Sequence, residues 1–245
     1  NDRWGILIGG RLDKHNMVDN VIFSPRANLR FNPTQNINLR LSYSSGFRAP
    51  QAFDEDMHIE NVGGTVAMIE RAKDLKEEKS QSFSVSADMY HRFGAFQTNL
   101  LIEGFYTRLT DVFVLGKPYD RGDGILVKTR SNGPGAKVMG LTLEGKVAYL
   151  SILQIQAGLT LQRSRYDEPH KWHDDAPAEK KIFRTPDTYG YFTATCTPIK
   201  PLSIALSGTY TGRMLVQRMD ITAENAELGK MPERKAEAIR TPRFF

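Results

Sequence analysis

The 245-residue sequence contains one cysteine, Cys196, and no stretch that approaches ~18 consecutive apolar residues. A single thiol excludes an internal disulfide framework and any CxxC metal site; in a strand beside Phe192 and Ala194 it reads as a small buried or lipid-facing hydrophobe. The missing apolar run excludes a helical membrane span and nothing more. A strand of a transmembrane barrel alternates lipid-facing apolar with lumen-facing polar residues, so a mean hydropathy of −0.42 is compatible with it. Lys and Arg number 33 against 28 Asp and Glu and are scattered among them. Without a basic stripe, nucleic acid is not an expected partner. Catalytic signatures are missing too: there is no GxSxG and no HExxH, and Gly133-Pro134-Gly135 lacks the Lys-Ser of a phosphate-cradling loop. No enzyme and no resident cofactor are expected.

What is present is period-two alternation. Ile37, Leu39, Leu41 and Tyr43 alternate with Asn38, Arg40, Ser42 and Ser44, which gives a strand one apolar and one polar side. The same rule sets Phe83, Val85, Ala87 and Met89 against a run of serines and Asp88. It sets Leu141, Leu143, Gly145, Val147 and Tyr149 against Thr142, Glu144 and Lys146. Leu153 to Leu161 and Leu202 to Tyr210 follow it, and weaker versions run through Trp4 to Leu12, Ala27 to Phe31, Phe96 to Tyr106 and Tyr189 to Cys196. These runs reach or exceed the ~9–11 residues that a tilted strand needs to cross a bilayer, against ~5–6 in soluble domains.

Connection lengths alternate as well. Short turns at Asn32 to Gln35, His91 to Gly94, Leu150-Ser151 and Pro198 to Pro201 alternate with long segments at Gly46 to Glu78, around Gly116 to Gly124, Arg163 to Phe183 and Thr211 to Ile239. Short on one rim and long on the other is the build of an outer-membrane barrel, with periplasmic turns and extracellular loops. That orientation places Tyr43, Tyr106 and Tyr210 at outer strand ends and Phe31, Tyr90 and Tyr149 at inner ones, where aromatic girdles belong. A soluble β-sandwich would alternate too, but explains neither strand length nor loop asymmetry. The fold class expected is all-β: about nine or ten strands of an antiparallel transmembrane β-barrel, with Thr241 to Phe245 opening the last. Large barrels of this type use about 22 strands, so the chain reads as part of one. Asn1 reads as an internal start, because no secretory leader opens the chain.

Several segments carry a resemblance. Gly46-Phe47-Arg48-Ala49-Pro50 resembles the "FRAP" box of TonB-dependent receptor barrels, and Asp74 to Ser80 resembles their "NPxLKPEKS" box, with Ala72-Lys73 and Glu77 departing from it. Asn132-Gly133-Pro134-Gly135-Ala136, running into Gly140 to Glu144, looks like the family's strand entry, and Ser24-Pro25-Arg26 and Arg184-Thr185-Pro186 fall where the family has such segments. The resemblance implies that residues 1–245 are the later part of the barrel domain, about nine or ten of a presumed 22 strands, without plug domain or TonB box. It also implies residence in the outer membrane of a Gram-negative bacterium, in contact with membrane lipid. The activity implied is TonB-energised uptake of a small metal chelate, a ferric siderophore first, through the missing plug; a haem or cobalamin receptor and a passive porin-like channel are the alternatives.

On that reading, Asn28, Arg30, Asn38, Arg40, Gln97, Asn99, Glu103, Glu144, Lys146, Gln154 and Gln156 line the lumen. The candidate ligand-binding residues lie in extracellular segments: Arg48, His58, His170, Trp172 and His173. His58, between the first two boxes, resembles the loop histidine with which haem receptors ligate iron, although Asp54, Glu55 and Asp56 surround it with charge unfavourable to haem propionates. His170 and His173 stand among carboxylates that could hold a divalent metal, but their spacing matches no closed site, so no metal is assigned.

Overall fold

The computed structural model describes residues 3–18, 20–50, 67–116, 119–122, 126–172, 176–221 and 234–245. Among these all regular structure is strand. In chain order these are β1 (Trp4–Asp13), β2 (Ile22–Thr34), β3 (Ile37–Arg48), β4 (Ala67–Arg71), β5 (Glu78–Phe93), β6 (Phe96–Thr110), β7 (Phe113–Leu115) and β8 (Tyr119–Asp120). There follow β9 (Leu126–Asn132), β10 (Ala136–Tyr149), β11 (Leu153–His170), β12 (Glu179–Lys181), β13 (Thr188–Ile199), β14 (Leu202–Thr211), β15 (Leu215–Ile221) and β16 (Arg234–Arg240). The main sheet has ten strands in the order β1-β2-β3-β5-β6-β10-β11-β13-β14, with β12 beside the outer end of β11, and every pairing in it is antiparallel. It is not closed: β1 and β14 are its two ends. The C-terminal residues begin a further pairing, because Thr211 and Phe244 exchange backbone hydrogen bonds of 3.0 and 2.9 Å on the free side of β14.

The register turns the alternation into two faces. Tyr43 pairs with Phe83, Phe83 with Tyr106 and Tyr106 with Met139, so these four side chains form one row across four strands. Two rows further in, Leu39, Ala87, Ile102 and Leu143 are aligned in the same way. From Phe96 to Tyr106 there are ten residue steps, ~34 Å along the strand at ~3.4 Å per residue. A tilt of ~40° projects that to about 26 Å, near the ~25 Å apolar band of an outer-membrane barrel. Both rims carry rings: Trp4 stacks on Phe31 at 4.2 Å, Phe93 and Tyr149 flank Phe96 at 5.5 and 4.8 Å, and Tyr43 meets Phe83 at 4.8 Å. Between the rims no outward position in β1, β2, β3, β5, β6, β10, β11, β13 or β14 holds a charged residue.

Burial separates this fold from a soluble sandwich. The buried apolar side chains among the described residues are Val18, Ile22, Val127, Ala136, Ala176 and Leu215, all beyond the apolar band, whereas Ile6, Ile8, Leu12, Val85 and Leu206 are at least 60 % exposed. A water-soluble domain of this size would bury such residues in a close-packed core. Here lipid is the solvent for the exposed face, and the strand ladder satisfies the backbone.

Two sequence expectations change. Tyr90 does not join the inner girdle: it pairs with Asn99 and its hydroxyl donates to Asp88 at 2.8 Å, which places it on the lumen face. Its odd partners Phe83 to Met89 face out, so an even number must face in; the ring itself carried no information about side. Cys196, by contrast, keeps its expected lipid-facing place on the outward face, paired with Leu153 and Ile204. Finally, segments read as loops hold strands. β11 runs unbroken to His170, β15 and β16 form a hairpin within Thr211 to Ile239, and β4, β7, β8 and β9 form a small separate sheet in which β4 is parallel to β9. Beyond the membrane both faces of a hairpin meet water, so the period-two signal that reveals a strand disappears.

Candidate functional site

The polar face builds the first part of the site. All eleven expected lumen residues share it, since Asn28 pairs with Ser42, Arg30 with Arg40, Asn38 with Asp88, and Lys146 with both Asn99 and Gln156. The wall is hydrogen-bonded across strands. Asn28 donates to Ser42 at 2.7 Å, Asn99 donates to Asp88, and Thr142 and Thr160 share a hydroxyl bond of 3.0 Å. Glu144 is the centre of a larger group: it accepts from Tyr191 at 2.5 Å and from Gln156 at 3.1 Å, and it pairs with Lys146 at 3.0 Å. A hollow of about 360 Å³ lies against this wall, lined by Tyr90, Asn99, Lys146, Gln154, Gln156 and Thr195. Asp88, Tyr90 and Tyr191 are the members that alternation left unnoticed; Tyr191 is recognisable only once β13 is registered against Gly158.

Where the lumen face reaches the outer rim, Arg48 forms the second part. It lies opposite Glu78 in the β3–β5 register, and the two make an ion pair of 3.2 Å. The Arg48 guanidinium also lies over the Phe113 ring at 4.7 Å, and Glu78 accepts the Phe113 amide at 3.0 Å. The FRAP-like segment thus ties β7 to the barrel rim, with Pro50 fully buried behind it. Arg130 is buried, and its pKa is lowered by burial first and then by the charge of Arg48. Tyr166 is held above the ordinary phenol value by burial and then by the Glu78 carboxylate, and its ring lies 5.5 Å from that of His170. Two pairs thus stand at the mouth: Arg48 with Glu78, and Tyr166 with His170, the second within the field of the Glu78 carboxylate. Trp172 stands apart, edge-on to Phe183 at 6.2 Å. His58 and His173 lie outside the described residues. Among the described residues no three His, Cys, Asp or Glu side chains are grouped to hold a metal ion.

Burial lowers the His170 pKa from 6.5. The unfolded segment then binds more protons than the folded one, so its contribution to stability is complete above pH 6.5 and is lost as pH falls below it. Amide exchange over Tyr166–His170, corrected for its intrinsic pH dependence, should accelerate between pH 7.5 and pH 5.5 in the wild type and not in His170→Gln. An equal response in both proteins would show that another group governs it.

A long-stranded antiparallel sheet with a girdled apolar face, a hydrogen-bonded polar face and its elaborated connections on one rim defines the wall of an outer-membrane-type β-barrel. The family can be stated as well: residues 1–223 match the model described as TonB dependent receptor-like, beta-barrel, and the chain belongs to that family, whose members are outer-membrane barrels of Gram-negative bacteria. No curated protein matches the sequence. Solved structures resemble it in fold. The siderophore receptor PirA from Acinetobacter baumannii is 14% identical, with a TM-score of 0.64 over 98% of this chain and 36% of that one. A G324V mutant of the ferric enterobactin receptor PfeA from Pseudomonas aeruginosa is 17% identical, with a TM-score of 0.64 over 98% and 34%. The FrpB iron transporter of Neisseria meningitidis, F3-3 variant, is 15% identical, with a TM-score of 0.59 over 92% and 31%. The chain spans about a third of each.

Proposed function

We infer that residues 1–245 are part of the barrel domain of an outer-membrane receptor that takes up a ferric siderophore, driven by a TonB-type energising complex acting through a plug domain. The observation that carries this reading is the coexistence, in a chain of this family, of a continuous polar lumen wall centred on Glu144 with an ordered mouth around Arg48. A wall hydrogen-bonded across β10, β11 and β13 suits a lumen packed against another folded element. The mouth supplies a cation held over an aromatic ring, chemistry that receives an anionic, flat-faced chelate. Structural neighbours described as a siderophore receptor and a ferric enterobactin receptor support the cargo class. Arg48 and His170, from the two pairs at the mouth, together with Trp172, His58 and His173 are the residues assigned to capture.

The test is uptake of radiolabelled iron by cells whose only receptor is the intact protein, offered ferric siderophores, haem and cobalamin in parallel. Accumulation from a ferric siderophore is expected in cells with TonB and is expected to vanish without it. Uptake that persists without TonB would instead identify a passive channel, and exclusive binding of haem or cobalamin would overturn the siderophore assignment.

A further inference from the structure

The outward face just beyond the outer girdle is strongly basic. Gln81 pairs with Arg108, Arg108 with Lys137, Lys137 with Arg165 and Arg165 with Lys181. Four cations thus stand in one register row on β6, β10, β11 and β12, ~4.8 Å apart from strand to strand. This row lies two residues outward from the Phe83, Tyr106, Met139 row, which ends in Arg163 on β11. Like charges placed opposite one another destabilise a sheet. The carboxylates nearby balance them in part: Asp167 lies 3.5 Å from both Arg108 and Lys137, and Asp187 lies 2.5 Å from Lys181. The Arg108 and Lys137 side chains remain 52% and 42% exposed.

Directly below the row, the apolar face is grooved. A shallow, open depression of about 790 Å³ is lined by Phe83, Val85, Tyr106, Met139 and Leu141, with Arg163 and Asp187 also on its lining. The floor is Gly104, which stands between Val85 and Leu141 in the register. A side chain begun there would meet only Val85, at 3.7 Å. One step of ~7 Å along the strand separates the girdle from the cations, the spacing between the end of the hydrocarbon and a lipid headgroup.

We propose that this surface is a binding site for a phosphorylated lipid, whose phosphate is held by Arg108, Lys137 and Arg165 and whose acyl chain lies in the groove over Gly104. Apolar and anionic requirements are met in the order in which a lipid presents them, tail toward the membrane centre and phosphate toward the rim. A soluble anion would use the cations and leave the groove idle.

The experiment is native mass spectrometry of the intact protein in detergent, titrated with phosphatidic acid or with phosphatidylcholine of the same chains. Phosphatidic acid should be retained preferentially. Arg108→Gln, Lys137→Gln and Arg165→Gln together should weaken it by on the order of 100-fold, about fivefold per charge, without loss of folding, because the substitutions relieve repulsion. Gly104→Leu, which fills the groove and keeps every charge, should weaken it too, and inorganic phosphate should not displace it. Equal retention of the two lipids, retention undiminished in the triple variant or in Gly104→Leu, or displacement by phosphate alone would each overturn the proposal.

Discussion

Leu143→Arg is expected to destabilise the intact barrel by about 2–4 kcal/mol, while Thr142→Arg, one residue away at the same depth, costs under about 1.5 kcal/mol. Leu143 lies between Ile102 and Leu159 in the middle of the outward apolar rows, so an arginine there would place its charge in hydrocarbon. Thr142 faces the polar wall, and its replacement sacrifices only the hydroxyl bond to Thr160. Urea titration of the protein folded into lipid vesicles measures both. Equal costs on the two faces would contradict the assignment of lipid and lumen sides, and with it the whole orientation of the sheet.

The second large effect is steric. A Cβ on Gly140 would come within 2.5 Å of the Leu161 carbonyl oxygen and 2.6 Å of the Phe105 ring, which lies across it. The ring has a flexible stem and can turn away; the carbonyl belongs to the ladder and cannot. Gly140→Val should therefore cost about 1–3 kcal/mol through overpacking. Gly145, on the same strand, is the control, because nothing lies within 4 Å of its would-be Cβ. Gly145→Ala should be neutral or stabilising by up to ~1 kcal/mol, chiefly by restricting the unfolded chain. The same titration separates the two. A Gly140→Val protein as stable as wild type would mean that β10 and β11 separate enough to admit the side chain.

The membrane part of this fold is legible because lipid and lumen impose opposite demands on neighbouring residues. Each of the strands around Leu39, Val85, Leu143, Ile155 and Ile204 was visible as alternation, and their register adds only which apolar residue stands beside which. Outside the bilayer that contrast is gone. The segment Arg163 to His170 is polar at every position but Tyr166 and Pro169, so its strand could not be read. The pairing of β4 with β9 joins residues far apart in the chain without a period to announce it. The mouth suffers from the same blindness. Arg48 stood out through its motif, but its partner Glu78 is thirty positions away, and only the β3–β5 register places the two face to face. Trp172 and His170 are neighbours in sequence whose rings nonetheless contact different partners, Phe183 and Tyr166.

Alternation alone guards a sheet against slipping by one residue, which would turn every apolar side chain toward water, but a slip by two leaves the pattern intact. The aromatic rings laid over glycines close that gap. Phe105 covers Gly140, Tyr191 covers Gly158 and Phe192 covers Gly208, each so closely that a single added carbon would collide. Displaced by two, Phe105 would meet Val138 or Thr142, Tyr191 would meet Gln156 or Thr160, and Phe192 would meet Leu206 or Tyr210. In each of these displaced registers the ring would have to turn aside from a side chain, so the three pairs, distributed over β6 to β14, favour the native alignment among strands that all look alike to lipid.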